Sequence, residues 1–189
     1  QQGNPANESM GYVNFGSTAT TPNPPLPSAA TNISSVSVTA NWTANGNPGG
    51  TMYLAEKAED AGFAVGWSSS GWITALSWTA VALTPNTYYY FRTRARNASF
   101  VQSPTAALPS VRTYAAVPGV PSVSNITGSS IRLNWTPNNN ATGTEYWSEV
   151  ATSSNPWVGV TTGGWITSTL LNLSALAQSK TYWFRATAR

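Results

Sequence analysis

The strongest constraint on this chain is that its sequence repeats at a fixed distance. The segment Asn41-Trp42-Thr43 returns as Asn134-Trp135-Thr136, and Gly71-Trp72-Ile73-Thr74 returns as Gly164-Trp165-Ile166-Thr167. Each pair is 93 residues apart. The same offset relates isolated positions: Asn32 and Asn125, Tyr53 and Tyr146, Glu56 and Glu149, Leu83 and Leu176, and Arg96 and Arg189. A repeat of this length has the size of one small domain, so the chain is predicted to hold two tandem copies of one fold.

The clearest element within a repeat is residues 87–96, which return as residues 181–189. Its side chains alternate between two sets. Tyr89, Phe91, Thr93 and Ala95 fall on one side, and Tyr90, Arg92, Arg94 and Arg96 fall on the other. A period of two predicts a β-strand with one buried face and one solvated face.

The rest of each repeat also reads as short strands separated by turns. In the first repeat we expect strands at residues 36–42, 51–58, 76–83 and 105–114, with an irregular, Ser/Gly-rich segment at 62–71. Turn signals lie at residues 45–50 and 84–86. No segment has helical periodicity. Seven short strands with turns between them predict an all-β fold, an antiparallel β-sandwich.

Each repeat resembles a fibronectin type III domain. The motifs that carry the resemblance are a Pro-rich start at 24–27, Trp42, and the corner Leu83-Thr84-Pro85-Asn86-Thr87-Tyr88-Tyr89. The second copy has residues 118–121, Trp135 and the corner at 176–182, where Gln178 and Lys180 depart from the pattern. The resemblance implies two tandem immunoglobulin-like sandwiches, as in bacterial extracellular repeat arrays. It also implies that Trp42 and Trp135 are core residues and that Tyr89 and Tyr182 bond back to the turn.

The composition argues against several functions. The chain has no Cys and no His, which removes thiolate and imidazole metal ligands and the usual nucleophile–base pairs. Glu145 and Glu149 lie about 13 Å apart along one strand, too far for a glycosidase pair. We therefore expect no enzyme and no catalytic, cofactor or metal site. The net charge of +3 is spread along strands, so we expect no nucleic-acid partner.

Candidate surface features have more than one interpretation. Glu56 and Glu149 are expected to pair with Arg92 or Arg94 and with Arg185. Outward aromatic residues could form an Arg–aromatic ladder by local packing, a sugar-stacking platform or a protein contact surface. These aromatic residues are Tyr90, Trp147, Trp183, Trp72 and Trp165. Of the eight Asn-x-Ser/Thr sequons, the candidate glycosylation sites are Asn7, Asn97 and Asn140.

The sequence is expected to contain one complete repeat and parts of others at its two ends. We place the first domain at residues 23–117 and an incomplete second domain at 118–189, which has nothing after the Tyr/Arg strand. Residues 1–22 are the loop and last strand of a preceding or neighbouring domain, because residues 15–21 match residues 108–114. We expect this segment to complete the second domain of the next copy. The predicted assembly-strand residues are Tyr12, Val13, Phe15, Thr18 and Thr20.

These features predict a non-enzymatic structural subunit of an extracellular, microbial filament, fibre or stalk whose partner is itself, head to tail. Alternatively, a peptide bond could join Arg189 to Gln1 of the next unit, so that the chain is one unit of a longer covalent array. The alternative function is a spacer or glycan-binding segment of a secreted carbohydrate-active enzyme or adhesin. Only 8% of residues are charged, as in many secreted β-proteins. The sequence contains no run of 18 apolar residues, so it predicts no membrane-spanning helix.

Overall fold

The computed structural model describes residues 13–14 and 16–189. Within these ranges the chain has strands and no helix, and so no helix that could cross a membrane. The first repeat contains seven strands, as predicted. They are β1 (Leu26–Thr31), β2 (Val38–Thr43), β3 (Met52–Ala58), β4 (Ser68–Ile73), β5 (Ser77–Ala80), β6 (Tyr88–Arg96) and β7 (Ala106–Arg112).

These seven strands form two antiparallel sheets around one core. The sheets have the orders β1-β2-β5 and β4-β3-β6-β7. Trp42 from one sheet packs against Tyr53 from the other, with ring centroids 6.1 Å apart. Both rings are buried, and Val38, Phe91 and Leu108 surround them. The aromatic pair therefore joins the two sheets, as the sequence predicts for Trp42.

Strand β6 confirms the predicted alternation. Tyr89, Phe91, Thr93 and Ala95 are all buried, whereas the arginines between them are half-exposed. β6 lies between β3 and β7, with Tyr53 opposite Ala95 and Phe91 opposite Leu108. Both backbone edges of β6 are thus paired over most of its length.

The tyrosine corner is present in both repeats. The backbone N–H of Thr84 donates to the Tyr89 hydroxyl at 2.8 Å, and that of Ala177 donates to the Tyr182 hydroxyl at 2.8 Å. The geometry is conserved between the copies although Gln178 and Lys180 replace the Pro and Thr of the first. The hydroxyl supplies an acceptor to the turn before β6 and to the matching turn of the second repeat, as the resemblance implies.

The second repeat has a similar core, but its two main sheets hold six strands where those of the first repeat hold seven. Its sheets have the orders β8-β9-β14 and β13-β10-β15, and a small hairpin pairs β11 with β12. Trp135 packs against Tyr146 at 5.9 Å and Leu133 lies beside them. The strands are β8 (Ser122–Ser124), β9 (Ile131–Asn134), β10 (Tyr146–Ala151), β11 (Ser153–Ser154), β12 (Trp157–Val158), β13 (Thr161–Ile166), β14 (Leu170–Leu173) and β15 (Trp183–Ala188).

One sequence prediction about the fold was wrong. Residues 62–71 were expected to be irregular, but β4 begins at Ser68 and pairs with β3. The pairing register shifts between Leu54 and Glu56, and Gly71 has a φ of 65°. A Ser-rich strand with a bulge and a left-handed glycine lacks the alternating apolar pattern that identifies a strand.

We expect Trp42→Ala to lower the free energy of unfolding of the first repeat by about 3–5 kcal/mol, because it opens a large cavity between the sheets. Trp42→Phe should cost less, since an aromatic ring still contacts Tyr53. Chemical denaturation followed by fluorescence measures both values. A loss below about 1 kcal/mol for Trp42→Ala would contradict the assigned core.

Candidate functional site

The main difference between the repeats lies at the edge of one sheet. In the first repeat, β6 pairs with β3 on one side and β7 on the other. In the second repeat, β15 pairs with β10, and no other strand in the described part of the chain lies along its opposite edge. The edge therefore presents backbone N–H and C=O groups without strand partners.

An apolar groove of about 200 Å³ lies beside this open edge. The residues of the first repeat that lie 93 positions before the lining residues belong mostly to β1, β2 and β6. In the first repeat β7 packs against all three of these strands. Phe91, for example, is 2% exposed and opposes Leu108 of β7, whereas its counterpart Phe184 is only half-buried. The groove is lined by Val117, Pro118, Gly119, Pro121, Leu133, Trp135, Phe184, Arg185 and Ala186.

A second cavity, of about 470 Å³, continues the opening toward the tyrosine corner. Its lining includes Ala177, Lys180 and Tyr182. In the first repeat the matching space is closed by Thr113, which is 2% exposed. The Thr113 hydroxyl donates to the Thr84 carbonyl at 2.7 Å and accepts from the Thr87 N–H at 3.0 Å. Among the described residues of the second repeat, no apolar side chain and no hydroxyl occupy the places that Leu108 and Thr113 fill in the first repeat.

Exposed aliphatic residues extend the same opening onto the other sheet. Ile126 is 65% exposed and Val123 is 47% exposed. Their counterparts Ile33 and Ala30 pack against the core of the first repeat. In the first repeat β7 also contacts β1, the strand that contains Ala30. Ile126 and Val123 therefore lie on the other side of the opening that β7 covers in the first repeat.

The N-terminal segment is exposed and belongs to no strand over residues 13–14 and 16–22. Val13 is 72% exposed, and Thr18 and Thr20 are also exposed. The Asn97 side-chain amide donates to the Thr20 carbonyl at 2.8 Å and so holds the segment where it leaves the first repeat. Tyr12 and Phe15, the other predicted assembly-strand residues, lie outside the described residues.

The expected carboxylate–arginine pairs are confirmed. Glu56 is 4% exposed and accepts from Arg92 Nε at 2.8 Å and from Trp67 Nε1 at 3.0 Å. Burial raises the pKa of Glu56, but hydrogen bonds from Arg92 and Trp67 outweigh it, so this pKa lies below its ordinary value. Glu149 pairs with Arg185, whose hydrogen bond holds the Glu149 pKa low.

Two of the five outward aromatic residues, Trp72 and Trp165, stack with arginines of the chain itself. The Arg96 guanidinium lies 4.3 Å from the Trp72 ring centroid, and that of Arg189 lies 4.1 Å from Trp165. The Trp147 and Trp165 centroids are 5.5 Å apart. Such stacks occupy ring faces that a sugar would need, which supports the local-packing interpretation for these residues.

The partners within this ladder differ from those expected. Tyr90 is half-buried and Trp183 is 36% exposed. The rings that stack on Arg92 and Arg185 are not these two but come from other strands and loops. Arg92 lies 4.0 Å from the Phe63 centroid, and Arg185 lies 4.5 Å from Trp157. Phe63 and Trp157 were missed because they stand in segments without strand periodicity and do not share the 93-residue offset.

The candidate glycosylation sites have structural contacts of their own. Asn140 is 8% exposed, and its side-chain amide donates to the carbonyls of Ala116 and Pro137 at 2.9 and 2.7 Å. The Asn97 amide is bonded to Thr20. A glycan replaces one of the two amide hydrogens, so attachment at Asn140 would break at least one of its two bonds. Asn7 lies outside the described residues. No group of three or more potential metal ligands occurs in the described ranges.

Comparisons with known proteins support the fold. No protein-family model matches the chain. A solved two-fibronectin type III domain segment from chicken tenascin is 15% identical to the chain, with a TM-score of 0.57. The match covers 87% of this chain and 90% of the tenascin segment. The chain thus has the fold of two tandem fibronectin type III domains, as its sequence motifs imply.

We expect Glu56→Gln to reduce the acid sensitivity of the first domain. Because the folded pKa is depressed below the ordinary 4.5, the carboxylate stabilises the domain above about pH 4.5, and this contribution is lost as pH falls through the folded pKa. The variant should lose about 1–3 kcal/mol at pH 7 and show a flatter stability profile between pH 5 and 3. Urea unfolding at several pH values measures both effects.

The matched control is Glu145→Gln, which removes a more exposed pair with Arg189 and should cost less than about 1 kcal/mol. Equal losses at pH 7 and equal pH profiles for the two variants would contradict the assigned role of Glu56.

Proposed function

We propose that the chain is a non-enzymatic structural subunit of an extracellular filament, fibre or surface stalk. In this assembly, residues 13–21 of one copy form a strand along β15 of the neighbouring copy. The observation that carries the proposal is the open edge of β15, where the groove takes the place that β7 fills in the first domain. An extended segment that adds to a sheet edge is a common mode of protein recognition.

The repeat offset gives the register of the added strand. Shifting the β6–β7 pairs by 93 residues places Phe15 opposite Phe184 and Val13 opposite Ala186. Thr18 falls opposite Tyr182 by the same shift. This alignment uses the match between residues 15–21 and 108–114, and it needs no insertion within the strand.

The side chains of the segment fit the two faces of such a strand. Val13, Phe15, Thr18 and Thr20 match Ala106, Leu108, Val111 and Thr113, which are buried or half-buried in the first domain. Asn14, Ala19 and Thr21 match exposed positions. The pattern alternates on either side of Gly16 and Ser17, which match two consecutive exposed residues of β7 at its register shift. Such a pattern suits a strand with one face in a core and the other in water.

Thr20 supports the register with its hydrogen-bonding capacity. Its counterpart Thr113 bonds the Thr84 carbonyl and the Thr87 N–H, whose equivalents are Ala177 and Lys180 beside the second cavity. In a neighbouring copy, Thr20 would supply the same donor and acceptor there. Phe15 would supply the apolar side chain that the groove lacks.

The contact is heterologous, because the donor segment and the acceptor groove are different surfaces of one chain. Repetition of such a contact without closure propagates a filament. Covering the edge also removes a site of uncontrolled strand pairing. Arginines already stack on Trp72 and Trp165, two of the candidate sugar-stacking rings, and this weighs against a glycan-binding spacer.

Phe15→Asp tests the proposal in the recombinant chain of residues 1–189. The unmodified chain should form filaments in negatively stained images. Phe15→Asp should raise the concentration needed for assembly at least about 100-fold, because it places an unpaired charge in an apolar groove. Asn14→Asp is the control, since position 14 matches an exposed site, and it should assemble normally.

Absence of filaments in the unmodified chain, or equal assembly by Phe15→Asp, would contradict strand addition. Mass spectrometry of native material under denaturing conditions separates the two forms of continuation. A species of about 20 kDa is expected for separate subunits, and a much larger chain would show that the repeats are joined covalently.

A further inference from the structure

The contact between the two domains contains a compact hydrogen-bond cluster. Asn86 is 6% exposed, and its side-chain amide donates to the Thr144 hydroxyl at 2.8 Å and to the Arg189 carbonyl at 2.9 Å. The Ala141 N–H donates to the Pro85 carbonyl at 3.2 Å. Three bonds therefore connect the turn before β6 to the near end of the second domain.

The far end of the first domain has the same construction. Asn23 and Asn47 exchange two hydrogen bonds of 2.8 Å, and Asn45 donates to the Pro24 carbonyl at 2.8 Å. Ala116 and Asn140 form the corresponding pair at the contact between the domains. The end of the second domain that meets the first domain is thus reproduced, 93 residues earlier, at the far end of the first domain, which meets no other domain in the structure.

This far end also has a cavity of about 580 Å³. The chain's own residues 18–23 border it on one side, and Pro48, Thr51 and Asn97 are among the residues on the other. Thr51 is the counterpart of Thr144, and Arg96 is the counterpart of Arg189. Both acceptors of the Asn86 amide therefore have equivalents at the far end.

The turn that would meet this end is also reproduced. Ser179 is the counterpart of Asn86, and its φ of 57° is nearly the same as the 56° of Asn86. Ser179 is exposed at the end of the second domain. We propose, on the basis of the assembly described above, that the Ser179 turn of one copy docks on the Thr51–Arg96 end of the next copy.

This docking contact is weaker than its equivalent inside the chain. An Asn amide donates two hydrogen bonds, whereas a Ser hydroxyl is shorter and donates one. Pro48 is the counterpart of Ala141, whose N–H donates to the Pro85 carbonyl. Proline has no N–H, so the equivalent bond to the Gln178 carbonyl of the neighbouring copy cannot form. The contact between copies therefore has at most one of the three bonds found within the chain, and the filament alternates firm and loose junctions.

Ser179→Asn tests the docking contact through the critical concentration for assembly, measured by sedimentation. The added donor should lower this concentration about two- to tenfold, the effect expected for one net hydrogen bond. Expression in a non-glycosylating host is required, because the substitution creates a sequon with Thr181. Ser174→Asn, at an exposed position outside the contact, is the control and should change nothing.

Thr51→Val tests the acceptor side. It should raise the critical concentration and abolish the gain from Ser179→Asn in the double variant, as expected for a direct pair. Thr144→Val is the matched control and should leave the critical concentration unchanged. Thr144 lies between two domains of one chain, which the polypeptide already keeps together. Circular dichroism checks that each variant is folded.

The outcomes distinguish this inference from the assembly itself. Filaments that require Phe15 but respond neither to Ser179→Asn nor to Thr51→Val would overturn the docking contact and leave strand addition intact. Failure of the unmodified chain to assemble would overturn both.

Discussion

The structure depends most on how the edge of one β-strand is covered. β6 lies between two partners, and its inward side chains are all buried. β15 has the same alternation but one partner among the described strands, and its inward side chains are only half-buried. In the first repeat β7 pairs beside β6 and also contacts β1 of the other sheet. The lack of an equivalent pairing along β15 among the described strands therefore accounts for the groove, the second cavity and the exposed Ile126.

The repetition extends beyond sequence to individual contacts. The tyrosine corners, the Trp–Tyr pairs and the left-handed glycines at Gly71 and Gly164 recur at the same offset. Positions where a repeat would meet a neighbour are among those that differ, at Pro48, Gln178 and Ser179, whereas these interior contacts are kept.

Much of the fold could be predicted from residues with strong periodicity. The alternation of residues 87–96 predicts a half-buried strand, and the shared offset of Trp42 and Trp135 predicts two equivalent cores. β4 could not be predicted, because its serines carry no apolar alternation and Gly71 interrupts its register. Bulges of this kind arise from pairing between strands and leave little local signal.

The candidate site was predictable in outline and not in detail. Counting residues against the offset predicts that the counterpart of β7 does not follow β15 in the described residues, which agrees with the open edge of β15. The stacking of Arg96 on Trp72 could not be read from the sequence, because it depends on the register of β4 and β6 across β3. The equivalence of Asn86 and Ser179 was also missed, since its meaning depends on hydrogen bonds between the domains.

Disulfide trapping tests the central claim most directly, because the natural sequence has no Cys. The proposed register places Val13 of one copy opposite Ala186 of the next, within the range of a cross-strand pair. Oxidised Val13→Cys/Ala186→Cys chains should give a ladder of covalent multimers on a non-reducing gel, and the shifted pair Asn14→Cys/Ala186→Cys should not. No ladder from the first pair, or equal ladders from both, would contradict strand addition in this register.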